Sequence, residues 1–252
     1  MKIQLTAVII TFNEEKNIEK CLASLQGVAD EIVVVDSFST DKTKEICSKY
    51  KVNFHQQKWL GYSEQKNLGN QLAANKLIFS IDADEVLSDE LKVSINKVKE
   101  TAARGVVYKL NRRNNYCGKW IKHCGWYPDA KVRLWFKDDA KWEGDIHEEV
   151  VYSNEFEAQQ LKGDLLHYSF YTIHQHIAQV NTFTEIAARE ALAKGKKSNV
   201  ITIIGKSFWK FIHSYFIKLG ILDGYYGFVI CSISSFSTFS KYAKTKQFHK
   251  AK

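Results

Sequence analysis

Apolar residues come in blocks along the first hundred positions, not in strict alternation with polar ones. Residues 5–10, 31–36 (EIVVVD) and 76–81 are near-continuous apolar runs, and 52–55 reads as a further short strand. Runs of this kind predict strands buried on both faces of a parallel sheet. Between them the spacing turns helical. Ile18, Leu22 and Leu25 mark one face of residues 14–25, and residues 62–74 read as another helix. Ser39, Thr40 and Asp41 supply caps for a helix through Ile46 and Cys47. Alternating β and α segments predict an α/β fold with helices on both faces of the sheet.

The pattern changes after residue 105. Short β-like pieces at 106–110, 131–136 and 149–152 are separated by Gly, Asn and acidic turns, and Trp, Tyr, Arg and His are frequent. From Thr172 onward helices dominate. Three regions follow: 1–105, a nucleotide-binding type of α/β half; 106–170, a second half of the same domain; and 171–252, a basic aromatic helical extension. The apolar start of the chain reads as a first strand and not an export signal, because acids follow at once.

Composition adds a compartment and an asymmetry. Five scattered cysteines, an odd number, fit free thiols in a reducing compartment. Cys117, His123 and Cys124 lie close together, but no CxxC pair marks a zinc site. The net charge is +8; residues 189–252 hold twelve Lys and Arg against Glu190 and Asp223, which leaves −2 for the rest. A basic, aromatic tail predicts an anionic partner surface, a membrane or a lipid-linked phosphate. No recognition motif accompanies the charge, so a nucleic-acid role is not expected.

In doubly wound sheets ligands bind at the carboxyl ends of the strands. Those ends here carry Thr11, Asn13 and Glu14, then Asp36, then Asp82, Ala83 and Asp84. Carboxylates two apart on a loop reach one hard cation, and Mg²⁺ or Mn²⁺ completes its shell with substrate phosphates. Asp82 and Asp84 therefore read as a metal–diphosphate site. They read equally as the acidic start of a helix with Asp84 or Ser88 as its cap. Asn13 and Glu14 can likewise begin a helix, and Asp36 can cap its own turn.

Four segments in order change the weighting: AVIITFNEEKNIEKCLASL, EIVVVDSFSTDKTKEIC, SEQKNLGNQLA and FSIDADEVL. Together they resemble the family 2 glycosyltransferases of the GT-A class over residues 5 to about 90. The resemblance implies a GT-A, Rossmann-like, mostly parallel sheet with helices on both faces, and a C-terminal helical membrane-associating extension. It implies that Thr11, Asn13, Glu14 and Asp36 hold the nucleoside of a UDP-sugar. Asp82, Ala83 and Asp84 would face its diphosphate and metal, with Lys66 as the basic residue of the KNLG segment.

Transfer to an alcohol also needs a proton acceptor, and a carboxylate suits a reaction whose leaving group is a metal-bound diphosphate. KWEGDIHEEV resembles the catalytic segment of the lipopolysaccharide core glucosyltransferase branch of that family. The resemblance makes Glu148 the expected general base, with Asp145 as the alternative and His147 orienting the acid or touching substrate. His167 is the expected third metal ligand beside Asp82 and Asp84, or else a core histidine. Trp126 and Arg133 are expected on the acceptor side. Arg133 would bind an anionic group or pair with a neighbouring acid, and Trp126 would stack on a sugar or pack in the core.

The expected activity is inverting, metal-dependent transfer of a hexose, glucose first, from a UDP-sugar to a lipid-linked core oligosaccharide. A polyprenyl phosphate acceptor and a non-catalytic membrane adaptor are the alternatives. Residues 219–239 hold one charge, Asp223, and are long enough to span a bilayer. Glycines and serines interrupt them, which favours docking in the interface or a re-entrant hairpin over a true span, in a cytoplasmic protein peripheral at the inner face of the cell membrane.

Overall fold

The computed structural model describes residues 2–144 and 148–250. Chain contacts divide it into two compact units, Met1–Arg112 with Asp129–Tyr168, and Arg113–Pro128 with Ser169–Lys252. The boundaries expected at 105/106 and 170/171 do not coincide with this division, because residues 113–128 group with the C-terminal helices.

In the first unit the elements run β1 (Leu5–Thr11), α1 (Ile18–Leu25), β2 (Glu31–Asp36), α2 (Thr43–Ser48), β3 (Asn53–Gln56), α3 (Tyr62–Leu72), β4 (Leu77–Asp82), β5 (Glu85–Leu87) and α4 (Asp89–Thr101). Then follow β6 (Val106–Tyr116), β8 (Asp129–Phe136), β9 (Ala140–Glu143), β10 (Glu149–Tyr152) and β11 (Glu157–Phe170), with residues 113–116 of β6 and 169–170 of β11 falling in the second unit. The short β7 (Lys119–Trp120) lies between β6 and β8 in sequence and belongs to the second unit. The main sheet has the order β3-β2-β1-β4-β8-β6-β11-β5. β3, β2, β1 and β4 are parallel, and β8 joins β4 antiparallel. The parallel half carries the nucleotide-binding type of edge; the antiparallel half brings late residues back to it.

Alternate residues of the buried strands feed two hydrophobic layers. Leu5, Ala7, Ile9, Val34 and Phe79 face a layer with α1 and α4; Val8, Ile10, Val33, Val35 and Ile78 face one with Ala73, Trp135 and Trp142. Burying a side chain of this size contributes about 1.5–3 kcal/mol, so both faces are strongly specified. α3 lies close to the sheet because Gly69 has no side chain. A Cβ there would stand 2.3 Å from Val8 Cγ1 and 3.3 Å from Val35 Cγ2. Gly69→Ala is expected to cost about 1–3 kcal/mol of stability by overpacking. Urea unfolding measures it, and an unchanged midpoint would contradict the packing.

The second unit contains β7, α5 (Ile173–Ala193), α6 (Val200–Ile212), a π-helical turn (His213–Ile217), a 3₁₀ turn (Gly220–Asp223) and α7 (Gly224–Lys250). A capping box of Thr172 and Gln175 starts α5, and Asn199 caps α6 by accepting from the Thr202 amide at 2.8 Å. Its core gathers Tyr116, Ile121, Cys124, Ile230 and Cys231.

Candidate active site

The carboxyl ends of β1 and β4 open onto a cavity of about 740 Å³ lined by Thr11, Phe12, Glu14, Ser37, Trp59, Tyr62, Lys66, Asp82, Ala83, Asp84, Glu148 and His167. Its size suits a nucleotide-sugar. A second cavity of about 500 Å³ is lined by Arg112, Lys131, Arg133, Trp142, Glu149 and Tyr152 among others, and shares Asp82 and Glu148 with the first.

The three acids after β4 have three different tasks. Glu85 is fully buried and turns inward. It accepts from the Asp82 amide at 2.9 Å and from Arg133 at 3.1 Å, so it fixes the turn itself. Burial raises its pKa, although the Arg133 charge opposes that. Asp82 faces two cations, Lys66 Nζ at 3.1 Å and Arg133 Nη2 at 2.9 Å. Burial alone would raise its pKa, but Lys66 and Arg133 together hold it well below the carboxylate range. Asp84 is left toward the cavity, with its Oδ2 3.1 Å from His167 Nε2. The helix-cap reading applies to a neighbour: Ser88 caps α4, accepting from the Leu91 amide.

Strand pairing explains how a residue eighty positions later meets Asp84. β11 runs antiparallel to β5 with His167 opposite Glu85, and the Tyr168 amide donates to the Asp84 carbonyl at 3.0 Å. Two ligands of one octahedral ion at about 2.1 Å each lie about 3 Å apart, so Asp84 and His167 fit a divalent cation. Asp82 instead faces Lys66 with Oδ1 and accepts from Arg133 with Oδ2. Among the described residues no group of three His, Cys, Asp or Glu is disposed to hold a metal. Asp82, Asp84 and His167 are therefore not gathered as one set of ligands among the described residues.

Burial lowers the His167 pKa, but the hydrogen bond and charge of Asp84, with Glu85, outweigh it and raise it above the ordinary 6.5. The pair's contribution to stability is thus complete below the unfolded value and is lost as pH rises through the raised, folded one. Histidine NMR against a His167→Gln reference should give a pKa above 6.5. A divalent cation held there would compete with that proton and so bind more tightly as pH rises. A His167 pKa at or below the ordinary value would contradict the pairing.

α3 supplies three consecutive services. Lys66, 2% exposed, bridges Asp82 and Glu148, whose Oε1 is 3.2 Å away, and its ammonium lies 4.3 Å from the Trp142 ring. Asn67 clamps β9, accepting from the Trp142 amide at 3.0 Å and donating to its carbonyl at 2.9 Å. Gly69 allows the close approach described above. β9 and β10 form a hairpin, and Glu148 stands immediately before β10. Asp145 and His147 lie outside the described residues.

The remaining expected residues divide between cavity and scaffold. Thr11 lines the cavity with its buried hydroxyl lacking a hydrogen-bond partner. Glu14 lines it with a pKa raised by burial, against which Asn17 donates at 2.8 Å. Asn13 ties two loops together: it adopts φ 55°, and its Oδ1 accepts from the Thr40 amide at 2.8 Å. Asp36 is fully buried and caps its own turn, accepting from the Ser39 amide at 2.9 Å and from the Ser39 hydroxyl. Its neighbour Ser37 reaches the cavity instead. Arg133 is 3% exposed and pairs through Nη2 with Asp82 and Glu85, as the ion-pair alternative expects, and it also lines the second cavity, with Nε and Nη1 lacking hydrogen-bond partners. Trp126 packs in the second unit, edge-on to Tyr116 and His176, as core and not as an open stacking platform. Trp59 and Tyr62 were not expected at the site. They meet edge to face at 4.7 Å, each about half exposed. Their signal in the sequence is a WLGY segment whose Gly61, at φ 101°, turns the chain into α3.

Strand order, the cavity at the parallel edge and the acidic turn define a GT-A α/β enzyme. Residues 6–158 match the model of glycosyl transferase family 2; the chain belongs to that family and is a glycosyltransferase. An uncharacterized glycosyltransferase of Rickettsia bellii is 31% identical over 97% of this chain and 86% of its own length. A lipopolysaccharide core biosynthesis glycosyltransferase of Rhizobium meliloti is 27% identical over 100% of this chain and 95% of its own. A mannosyltransferase of Pyrobaculum calidifontis, solved in complex with GDP-Man and Mn²⁺, covers 97% of this chain and 87% of its own with a TM-score of 0.55 at 12% identity, which shows a shared fold.

Proposed function

We propose that the chain transfers a hexose, glucose first, with inversion, from a UDP-sugar to a lipid-linked core oligosaccharide. The observation that carries this reading is that Glu148 lines two adjoining cavities, one at the acidic turn and one beyond it. A donor in the first and an acceptor in the second would meet at its carboxylate.

The steps follow from the side chains. Thr11, Ser37, Trp59 and Tyr62 offer a hydroxyl-and-aromatic wall for a nucleoside. Asp84 and His167 would hold a divalent cation, Mg²⁺ or Mn²⁺, which would supply charge compensation for the diphosphate. Glu148 accepts the proton of the acceptor hydroxyl. The freed oxygen forms the bond to the anomeric carbon, and the electron pair of the broken bond leaves with the nucleoside diphosphate. Lys66 orients Glu148 by a charge-assisted hydrogen bond. Inversion and the choice of UDP rest on resemblance to the lipopolysaccharide core branch. The lipid-linked acceptor is supported by the similarity to the Rhizobium meliloti enzyme over the whole chain.

Calorimetry of UDP with the purified protein, with and without Mn²⁺, tests the donor half. Metal-dependent binding that Asp84→Asn abolishes is the expected result. Silence of UDP alongside binding of GDP would replace the donor. Silence of both would overturn the assignment of this cavity.

A further inference from the structure

The second unit exposes far more apolar surface than solubility requires. Along α6, Ile201 is 83% exposed, Ile204 62%, Phe208 66% and Trp209 58%. These positions are spaced three, four and one apart, so they share one stripe of the helix, while Ile203 and Ser207 on another side are buried. The 3₁₀ turn and the start of α7 continue the exposure, with Leu222 at 63% and Tyr225 at 67%. Exposed apolar residues scattered singly need no explanation; a continuous stripe marks an interaction surface.

Charge says what covers it. The second unit holds fifteen Lys and Arg against three acids. From residue 191 to the end there are eleven Lys and one acid, Asp223. That acid is 3% exposed and turned inward, where it accepts from the His123 amide at 2.8 Å. The surface around the stripe, with Lys206, Lys210 and Lys218 exposed, therefore offers ammonium groups and no carboxylate from that stretch. A second copy of the chain would oppose like charge to like charge. An anionic bilayer supplies both complements, acyl chains for the stripe and headgroups for the lysines.

No single described helix is long and apolar enough to cross a membrane; α6 with its π-helical turn and the helix after it pass that test only together, bent by 70°. Leu219, at φ 54°, sits at that break.

We infer that α6 and the turns after it lie in the plane of an anionic membrane. The Ile201–Ile204–Phe208–Trp209 stripe enters the headgroup–acyl boundary, and Lys210 and Lys218 contact lipid phosphates. Anionic lipids line the cytoplasmic leaflet, so this docks the chain at the inner face of the cell membrane. The docking stands independently of the donor chemistry.

Sedimentation of the full-length protein with vesicles tests it, using phosphatidylcholine alone and phosphatidylcholine mixed with phosphatidylglycerol. Strong binding only to the anionic vesicles is expected, part of it surviving high salt. Phe208→Ser with Trp209→Ser should weaken partitioning about tenfold or more and remove the salt-resistant part. Lys210→Glu with Lys218→Glu should remove the salt-sensitive part. Brominated lipid should quench wild-type fluorescence more than that of Trp209→Phe, a variant that keeps an aromatic ring in place. Failure of the wild type to bind anionic vesicles would overturn the inference. So would equal binding by the apolar variant, or a dimer in light scattering that Phe208→Ser dissociates. UDP calorimetry on the same samples separates this failure from failure of the donor site.

Discussion

Glu148→Gln is expected to lower kcat by about 10²–10⁴-fold, the usual contribution of a positioned general base, while UDP and Mn²⁺ still bind. The substitution keeps shape and an acceptor oxygen toward Lys66, which remains held by Asp82 at 3.1 Å. The fold should therefore survive, and only proton acceptance is lost. Turnover with saturating donor and acceptor, set beside calorimetric donor binding, reads the two effects apart. If kcat is unchanged, the base is another group, and Asp145 becomes the first to test by the same substitution to Asn. If donor binding disappears with kcat, Glu148 acts in the donor pocket and the two-cavity reading fails.

Much of this site could be read in the sequence because local rules and tertiary placement agree there. Continuous apolar runs identified β1, β2 and β4, and parallel sheets put their ligands at strand ends. Thr11, Glu14, Asp84 and Lys66 accordingly reach the cavity. Asp36 and Asn13 did not follow, because a short polar side chain at a strand end can satisfy either a ligand or its own turn. Nothing in the linear pattern says which. Glu85 was harder still. A third acid beside two others reads as more of the same charge, yet it is the one that faces inward and ties Asp82 to the turn. The antiparallel return of β11 beside β5 is invisible to periodicity, so the His167–Asp84 pairing rested on resemblance. The split at 113–128 was missed because a sixteen-residue excursion shows no change in pattern of its own.

Arg133→Met carries the largest expected cost in stability, about 3–5 kcal/mol, because it removes one partner from a buried ion network and strands the others. Glu85, fully buried, and Asp82 both depend on Arg133 Nη2, at 3.1 and 2.9 Å. Arg112 stands 3.9 Å from Glu85, too far to replace it. The pH dependence has a definite sign. Glu85 already has its pKa raised above 4.5 by burial, and loss of the guanidinium raises it further. A carboxyl whose folded pKa exceeds its unfolded one loses stability as pH rises through that value. The deficit of Arg133→Met should therefore be larger at about pH 8 than at about pH 5, as measured by urea unfolding at both. Arg133→Lys should recover only part of it, since one ammonium cannot reproduce the fork that serves both carboxylates. An arginine reserved for an acceptor anion would behave otherwise: stability would hold at every pH, and only the acceptor KM would rise. That outcome would restore Arg133 to the acceptor site and leave the inward turn of Glu85 without its counter-charge.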